Sequence, residues 1–273
     1  MEGALKTVRS DGPGRCVLGW GVAARLSAST EDLLQRLLRA MPTGFRATLG
    51  PGRGRRFAVR RVGRRLEFAV GGQIRFLGQT KRGFASAVAD ALETLASTDS
   101  RRFAFIHAGG VAIDGRAILL PGRSYSGKST LVEAFLRRGA SYLSDDMTPV
   151  DGRLRAHPFP RPLGIRPKAG GMPKRTAIAR LGARPADRAI PVALVWCGSF
   201  DPRAARPTFK LRQGLAAFAE LLPHAPGAQI RPEVVVPIFT RIAADVPVYS
   251  GVRGEAGQMV DAILRRLDTL HRP

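Results

Sequence analysis

The sequence predicts a mixed α+β protein: an α/β core in which a strand feeds a glycine loop and the loop feeds a helix, preceded by an accessory α+β region. Three observations carry that prediction. Residues 117–121 (AILLP) form a short apolar run of the kind that occupies a buried strand. Residues 122–129 (GRSYSGKS) follow at once and fit the spacing G-x-x-x-x-G-K-[ST]. Residues 129–138 then carry Leu131 and Phe135 four apart, close on Arg137 and Arg138, and are followed by Gly139. That is the pattern of a short amphipathic helix with a glycine stop.

The loop has the composition a phosphate site requires. Gly122 and Gly127 let the backbone curl with its N–H groups inward, forming a nest for phosphate oxygens. Lys128 adds a point charge on the outer phosphates, and the Ser129 hydroxyl is placed to complete a Mg²⁺ shell. The positive end of the following helix aims at the same anion. Gly122, Arg123, Ser124, Tyr125, Ser126, Gly127, Lys128, Ser129 and Thr130 are therefore the candidate nucleotide-binding residues. In a chain with 31 glycines the spacing alone can arise by chance, so the order strand, loop, helix is what decides it.

Downstream, Asp145 and Asp146 arrive with room for one helix and one short strand after Lys128. They would end a neighbouring strand within reach of a metal and a γ-phosphate. Adjacent side chains on a regular strand point to opposite faces, so one of the two faces the phosphates unless the strand stops there. A solvated acidic turn is the commoner fate of such a pair ahead of Pro149 and Gly152, and the preceding glycine loop tips the balance towards a site. Upstream, residues 103–115 read as a strand, a turn and a second strand, with His107 between. A lone histidine at a strand end is ordinarily structural, and here too its position argues for the site.

Together these elements resemble the catalytic domain of HPr kinase/phosphorylase: a histidine, a strand pair, a glycine loop, a short helix ending in Arg138-Gly139, then Asp145-Asp146. Residues 156–168 (AHPFPRPLGIRPK) are similar to a diffuse bacterial group of HPr-kinase-related proteins of mostly unassigned substrate. The resemblance spans about residues 103–168. It implies the phosphoenolpyruvate carboxykinase-like fold, with ATP and Mg²⁺ as cofactors. It also implies Asp146 as the group that accepts the acceptor-hydroxyl proton, Asp145 as support for the metal or its waters, and His107 as an active-site histidine. Phosphoryl transfer asks mainly for in-line positioning, charge neutralisation and an oriented nucleophile, which is what these residue types supply.

Two departures from the family matter. Thr130 stands where those enzymes carry Glu two residues after the loop lysine, and Gly164 stands where they carry Glu before Ile-Arg-Gly. That glutamate contributes to the metal site and to both directions of the HPr reaction, so reversible HPr phosphorylation is not expected. Arg161 and Arg166 are candidates for clamping transferred phosphate, with solvated loop arginines an equal alternative in this Arg-rich chain. Guanine-reading and transporter-ATPase motifs are missing from the sequence.

Composition bounds the rest. At 273 residues and 44% hydrophobic content the chain can bury a substantial core. Residues 1–100 are expected to form the accessory region and 101–273 the catalytic domain. Helices are expected over 30–41, 84–95, 215–222 and 259–270, with a strand-rich stretch over 57–76 and a core strand over 191–196. Residues 155–174 read as a loop where an acceptor would dock. Neither a run of eighteen apolar residues nor an apolar leader is present, so the expectation is a cytosolic protein that does not enter membranes. Cys16 and Cys197 are isolated and suggest neither zinc nor a disulfide.

The net charge of +23 comes from 44 Lys and Arg against 21 Asp and Glu, nearly all of it arginine. The densest cluster, residues 53–65, falls on expected hairpin strands. An exposed strand face is the plainer account, and an acidic peptide or nucleic acid the alternative. The function expected is an ATP-dependent kinase acting on a hydroxyl of a protein, peptide or small molecule. A non-catalytic nucleotide-binding regulator and a basic nucleic-acid-associated NTPase are the alternatives, and a homo-oligomer is left open.

Overall fold

The computed structural model describes residues 12–48, 54–123, 126–165 and 174–270. The chain divides into two compact units, Met1–Arg101 and Arg102–Pro273. Both are mixed α+β, with six α-helices in all among the described residues.

The first unit contains β1 (Gly14–Gly19), β2 (Val22–Ala28), α1 (Glu31–Arg39), β3 (Phe45–Thr48), β4 (Arg55–Val62), β5 (Arg65–Val70), β6 (Gln73–Gly78) and α2 (Lys81–Asp99). Its six strands lie in the order β3-β1-β2-β4-β5-β6. Leu33, Leu34 and Leu37 of α1 and Phe84, Val88 and Leu92 of α2 bury against Phe57, Val59 and Phe68 of the sheet. The spacing three and four on the helices and two on the strands puts each set on one face. Thr30 caps α1 by accepting from the Leu33 N–H, so this helix starts one residue later than its apolar spacing suggests. The basic run lies on the β4–β5 hairpin, where Arg61, Arg64 and Arg65 are exposed and Arg60 pairs with the buried Glu67.

The second unit opens with β7 (Phe103–Ile106), β8 (Ala108–Ile113) and β9 (Arg116–Pro121), then α3 (Lys128–Leu136), β10 (Ser141–Ser144), β11 (Thr148–Asp151) and β12 (Arg155–Ala156). There follow β13 (Leu163–Ile165), β14 (Lys174–Thr176), β15 (Ile190–Phe200), β16 (Lys210–Arg212), α4 (Gly214–Leu221), α5 (Pro232–Asp245), β17 (Val248–Arg253) and α6 (Ala256–Thr269). Nine strands form one sheet in the order β10-β8-β9-β15-β12-β11-β7, with β17 added on β15 and β16 on β17. The sheet is mixed: β15 runs parallel to β9 and to β17 and antiparallel to β12.

Alternation along β9 shows how the layers are built. Ala117 and Leu119 face a core shared with Ala217, Val235 and Phe239 of α4 and α5. Ile118 and Leu120 face a second core with Val132 and Phe135 of α3 and Ile263 and Leu267 of α6. A helix pair thus covers each face. Residues 103–115 differ from expectation: β7 and β8 are separated by His107 alone, β7 pairs with β11, and β8 pairs with β9 and β10. The tight turn instead joins β8 to β9, with both Asp114 and Gly115 at positive φ, as a two-residue hairpin turn requires. Most of residues 155–165 is irregular, relieved by β12 and β13.

Candidate functional site

The glycine loop follows β9 and ends at Gly127, whose φ of +83° is the left-handed conformation open to glycine. A Cβ on Gly122 would come within 2.5 Å of the Ser126 hydroxyl. A Cβ on Gly127 would collide with the Arg253 guanidinium. Both positions therefore suit glycine for close approach, and Gly127 for its conformation as well. The N-terminus of α3, which carries Lys128, Ser129 and Thr130, has no side-chain cap. Ser124 and Tyr125 lie outside the described residues. Arg123 and Thr130 are exposed, and Ser126 and Ser129 are half-buried.

Lys128 folds back over the loop. Its Nζ donates to the Gly122 carbonyl at 2.5 Å and the Arg123 carbonyl at 3.0 Å, and lies 3.3 Å from His107 Nε2. Burial lowers its pKa, while Asp146 and Asp145 act in the opposite direction.

His107 is positioned by backbone on both sides. Its N–H donates to the His224 carbonyl at 2.7 Å, and its carbonyl accepts from the Gly122 N–H at 3.4 Å. The peptide that separates β7 from β8 is thereby tied to the first residue of the loop. His107 Nε2 also lies 3.0 Å from Asp146 Oδ1. A ring nitrogen cannot donate and accept at once, and the carboxylate is an acceptor alone. The proton therefore belongs on Nε2, which donates to Asp146 and leaves the 3.3 Å approach of Lys128 Nζ as a contact between two donors.

Asp145 and Asp146 are turned apart because β10 stops at Ser144. The buried Ser144 hydroxyl accepts from the N–H groups of Asp146 and Met147, bending the chain out of the strand. Asp146 swings towards the loop, between His107 and Arg161 Nη1 at 3.3 Å. The His107 hydrogen bond leads in holding its pKa below the ordinary carboxylate value; burial opposes, and the charges of His107, Arg161 and Lys128 assist. Asp145 turns inward and is 8% exposed. It accepts from the Tyr142 hydroxyl at 3.1 Å and the Gly164 N–H at 3.0 Å. Burial raises its pKa. Both its oxygens therefore engage protein donors, one of them the backbone of Gly164.

His107, Lys128 and Asp146 are thus brought together at one end of the loop, with Arg161 beside them and Asp145 behind. Arg166 lies outside the described residues. No group of three or more His, Cys, Asp or Glu side chains among the described residues could hold a metal by itself. No helix among them is long and apolar enough to cross a membrane.

No family model and no curated protein matches the chain. Among solved structures it is similar to the Hpr(Ser) kinase/phosphatase from Coxiella burnetii, at 14% identity and a TM-score of 0.34, over 60% of this chain and 96% of that one. That likeness is weak.

Sequence reading missed two residues that face this cluster. His224 follows α4 and is half-buried; burial, followed by the charges of His107, Lys128 and Arg123, pushes its pKa down to about 4, so it is neutral at pH 7. Arg253 ends β17 and is 3% exposed, donating to the Gly127 carbonyl at 2.8 Å. Neither stands in a recognisable motif. An arginine in this chain carries no signal of its own, and His224 lies roughly a hundred residues from the loop in sequence.

Proposed function

We propose that this chain is an ATP-dependent, HPr-kinase-like phosphotransferase with a carboxykinase-like phosphate-loop core, transferring a γ-phosphoryl group to a hydroxyl. The observation that carries the reading is the convergence of three side chains on the uncapped N-terminus of α3, with His107 Nε2 lying 3.3 Å from Lys128 Nζ and 3.0 Å from Asp146 Oδ1. The residues fit a nucleotide phosphate: two glycines where a Cβ would collide, a helix N-terminus without a side-chain cap, and a loop lysine in reach. They also fit Mg²⁺, which takes one or two protein ligands and completes its shell with phosphate and water, so no dedicated cage is needed. Ser129 would be a direct ligand and Asp145 an outer support through its position behind Asp146. When bound, Mg²⁺ would neutralise phosphate charge.

The chain's own residues divide the remaining work. Lys128 exchanges its bonds to the Gly122 and Arg123 carbonyls for phosphate oxygens. Asp146 is a carboxylate at neutral pH and accepts the proton of the attacking hydroxyl, a role that contributes typically on the order of 10²–10⁴-fold. His107 holds Asp146 Oδ1 and so directs the other oxygen, beside Arg161, towards the acceptor. Arg161 offers charge to the transferred phosphoryl group. The acceptor is a protein, peptide or small-molecule hydroxyl, and the arginine-rich surface suits an acidic one.

The test is Mg-ATP binding by the parent and by Lys128→Ala, with folding checked by circular dichroism. Loss of binding in a folded variant is expected, because the lysine faces the loop and not the core. Equal affinity in the two proteins would make the loop a structural turn.

A second reading, a nucleotide-binding regulator without turnover, is favoured by one observation. The Asp145 oxygens are engaged by Tyr142 and by the Gly164 N–H, at the position where the resembling family carries a metal-site glutamate. ADP release in the presence of candidate acceptors separates the two readings.

A further inference from the structure

Arg253, at the end of β17, is a buried cation. Its Nη2 donates to the Gly127 carbonyl at 2.8 Å, its Nη1 donates to the Gly254 carbonyl at 2.8 Å, and its Cζ stands 5.3 Å from the centroid of the Phe200 ring. Burying a guanidinium is costly unless its donors are satisfied, and here the acceptors are backbone carbonyls together with an aromatic face. Glu255 is the carboxylate whose charge acts on it, against burial.

The Gly127 carbonyl is an unusual acceptor. It already receives the Leu131 N–H at 3.1 Å, the first turn of α3, and Arg253 occupies its second lone pair. In a trans peptide the carbonyl and the following N–H point in opposite directions. Fixing the Gly127 oxygen towards Arg253 therefore fixes the Lys128 N–H away from Arg253, towards the mouth of the loop. The left-handed φ of Gly127 and the collision any Cβ there would make with the guanidinium tie the two residues together.

We propose that Arg253 is a positioning residue of the nucleotide site: it locks the Gly127–Lys128 peptide with its N–H facing the bound phosphate. This rests on the phosphate-loop reading above. Without Arg253 the peptide is held by the Leu131 N–H alone and rotates more readily, and a carbonyl turned into the nest would repel the anion that the N–H attracts. The chemistry recognised is that of a nucleoside di- or triphosphate, and Arg253 acts on it through the backbone without being a catalytic residue.

The probe is Mg-ADP, titrated calorimetrically into the full-length parent, Arg253→Met and Arg253→Lys. Methionine keeps the apolar stem, and lysine keeps the charge but lacks the planar fork whose two separate nitrogens reach the Gly127 and Gly254 carbonyls. Both variants should bind at least about tenfold more weakly, the scale of one charge-assisted hydrogen bond. Amide exchange without nucleotide should quicken at residues 127–131 and stay unchanged in the rest of α3. Affinity within twofold of the parent in either folded variant, or exchange quickened evenly across the whole unit, would overturn the proposal. A folded parent that fails to bind Mg-ADP would instead sink the phosphate-loop reading itself, and this inference with it.

Discussion

Tyr142 and Asp145 give the sharpest test of how the site is supported. Tyr142 is fully buried, and its hydroxyl stands 3.1 Å from Asp145 Oδ1 and 2.9 Å from the Arg161 carbonyl. A hydroxyl has one proton, so with Asp145 ionised one of these two acceptors goes without it. Asn at 145 resolves the conflict: its amide donates to Tyr142, Tyr142 donates to Arg161, and its oxygen keeps the Gly164 N–H. Tyr142→Phe does the reverse and leaves two buried acceptors short of a donor. Tyr142→Phe should cost about 1–3 kcal/mol, and Asp145→Asn should stay within about 1 kcal/mol of the parent or stabilise it. For a unit of this size that is roughly 2–4 °C in Tm per kcal/mol. Because burial raises the Asp145 pKa, the folded state holds this proton more tightly than the unfolded one. Stability conferred by the parent carboxyl should then fall as pH rises from about 3.9 through the raised value, and the advantage of Asn should grow over the same window. Urea unfolding from pH 4 to 8, followed by Trp196 fluorescence in a Trp20→Phe background, reads this unit alone. An Asp145→Asn loss larger than that of Tyr142→Phe, or a difference independent of pH, would refute the hydrogen-bond accounting.

Asp146→Asn should keep Mg-ATP affinity while lowering transfer on the order of 10²–10⁴-fold, measured with labelled ATP and an acceptor identified from lysate; an unchanged rate would make the Asp-Asp pair a surface turn. Incubation with Mg-ATP and HPr should give no phosphate-reversible phosphorylation, since Gly164 offers no side chain at the position of the family glutamate; stoichiometric, reversible labelling would restore the narrower activity. Phe135→Ala, at the centre of the core between α3 and the sheet, should cost about 3–5 kcal/mol in the same unfolding assay.

The parts of the fold that were legible in sequence are those where local and tertiary demands coincide. The run into β9 and the leucines of α1 each serve their own element and the core together, and the left-handed Gly139 serves the helix stop by local geometry alone. Two elements were hidden because the demands diverge. The β1–β2 hairpin turns on Trp20 at a φ of +52°, a residue no turn propensity would choose. Helix α5 contains Pro237 and three consecutive valines, which read as non-helical, yet Val235, Ile238, Phe239 and Ile242 bury along one face and packing prevails over propensity. At the site, spacing located the loop and the paired aspartates. It could not reveal that Ser144 turns them apart, nor that Gly164 supplies a backbone donor, because both facts depend on where β10 ends.

The pairing of β15 with β9 and β17 has a consequence for how the protein is made. The strand before the glycine loop gains its parallel neighbour only when residues 192–195 have been synthesised, and the Gly127 carbonyl meets its guanidinium only after Arg253. During synthesis at about 5–20 residues per second, the loop therefore leaves the ribosome several seconds before the groups that shape it. Chains released early would carry every residue of the glycine motif and still lack a formed corner at Gly127.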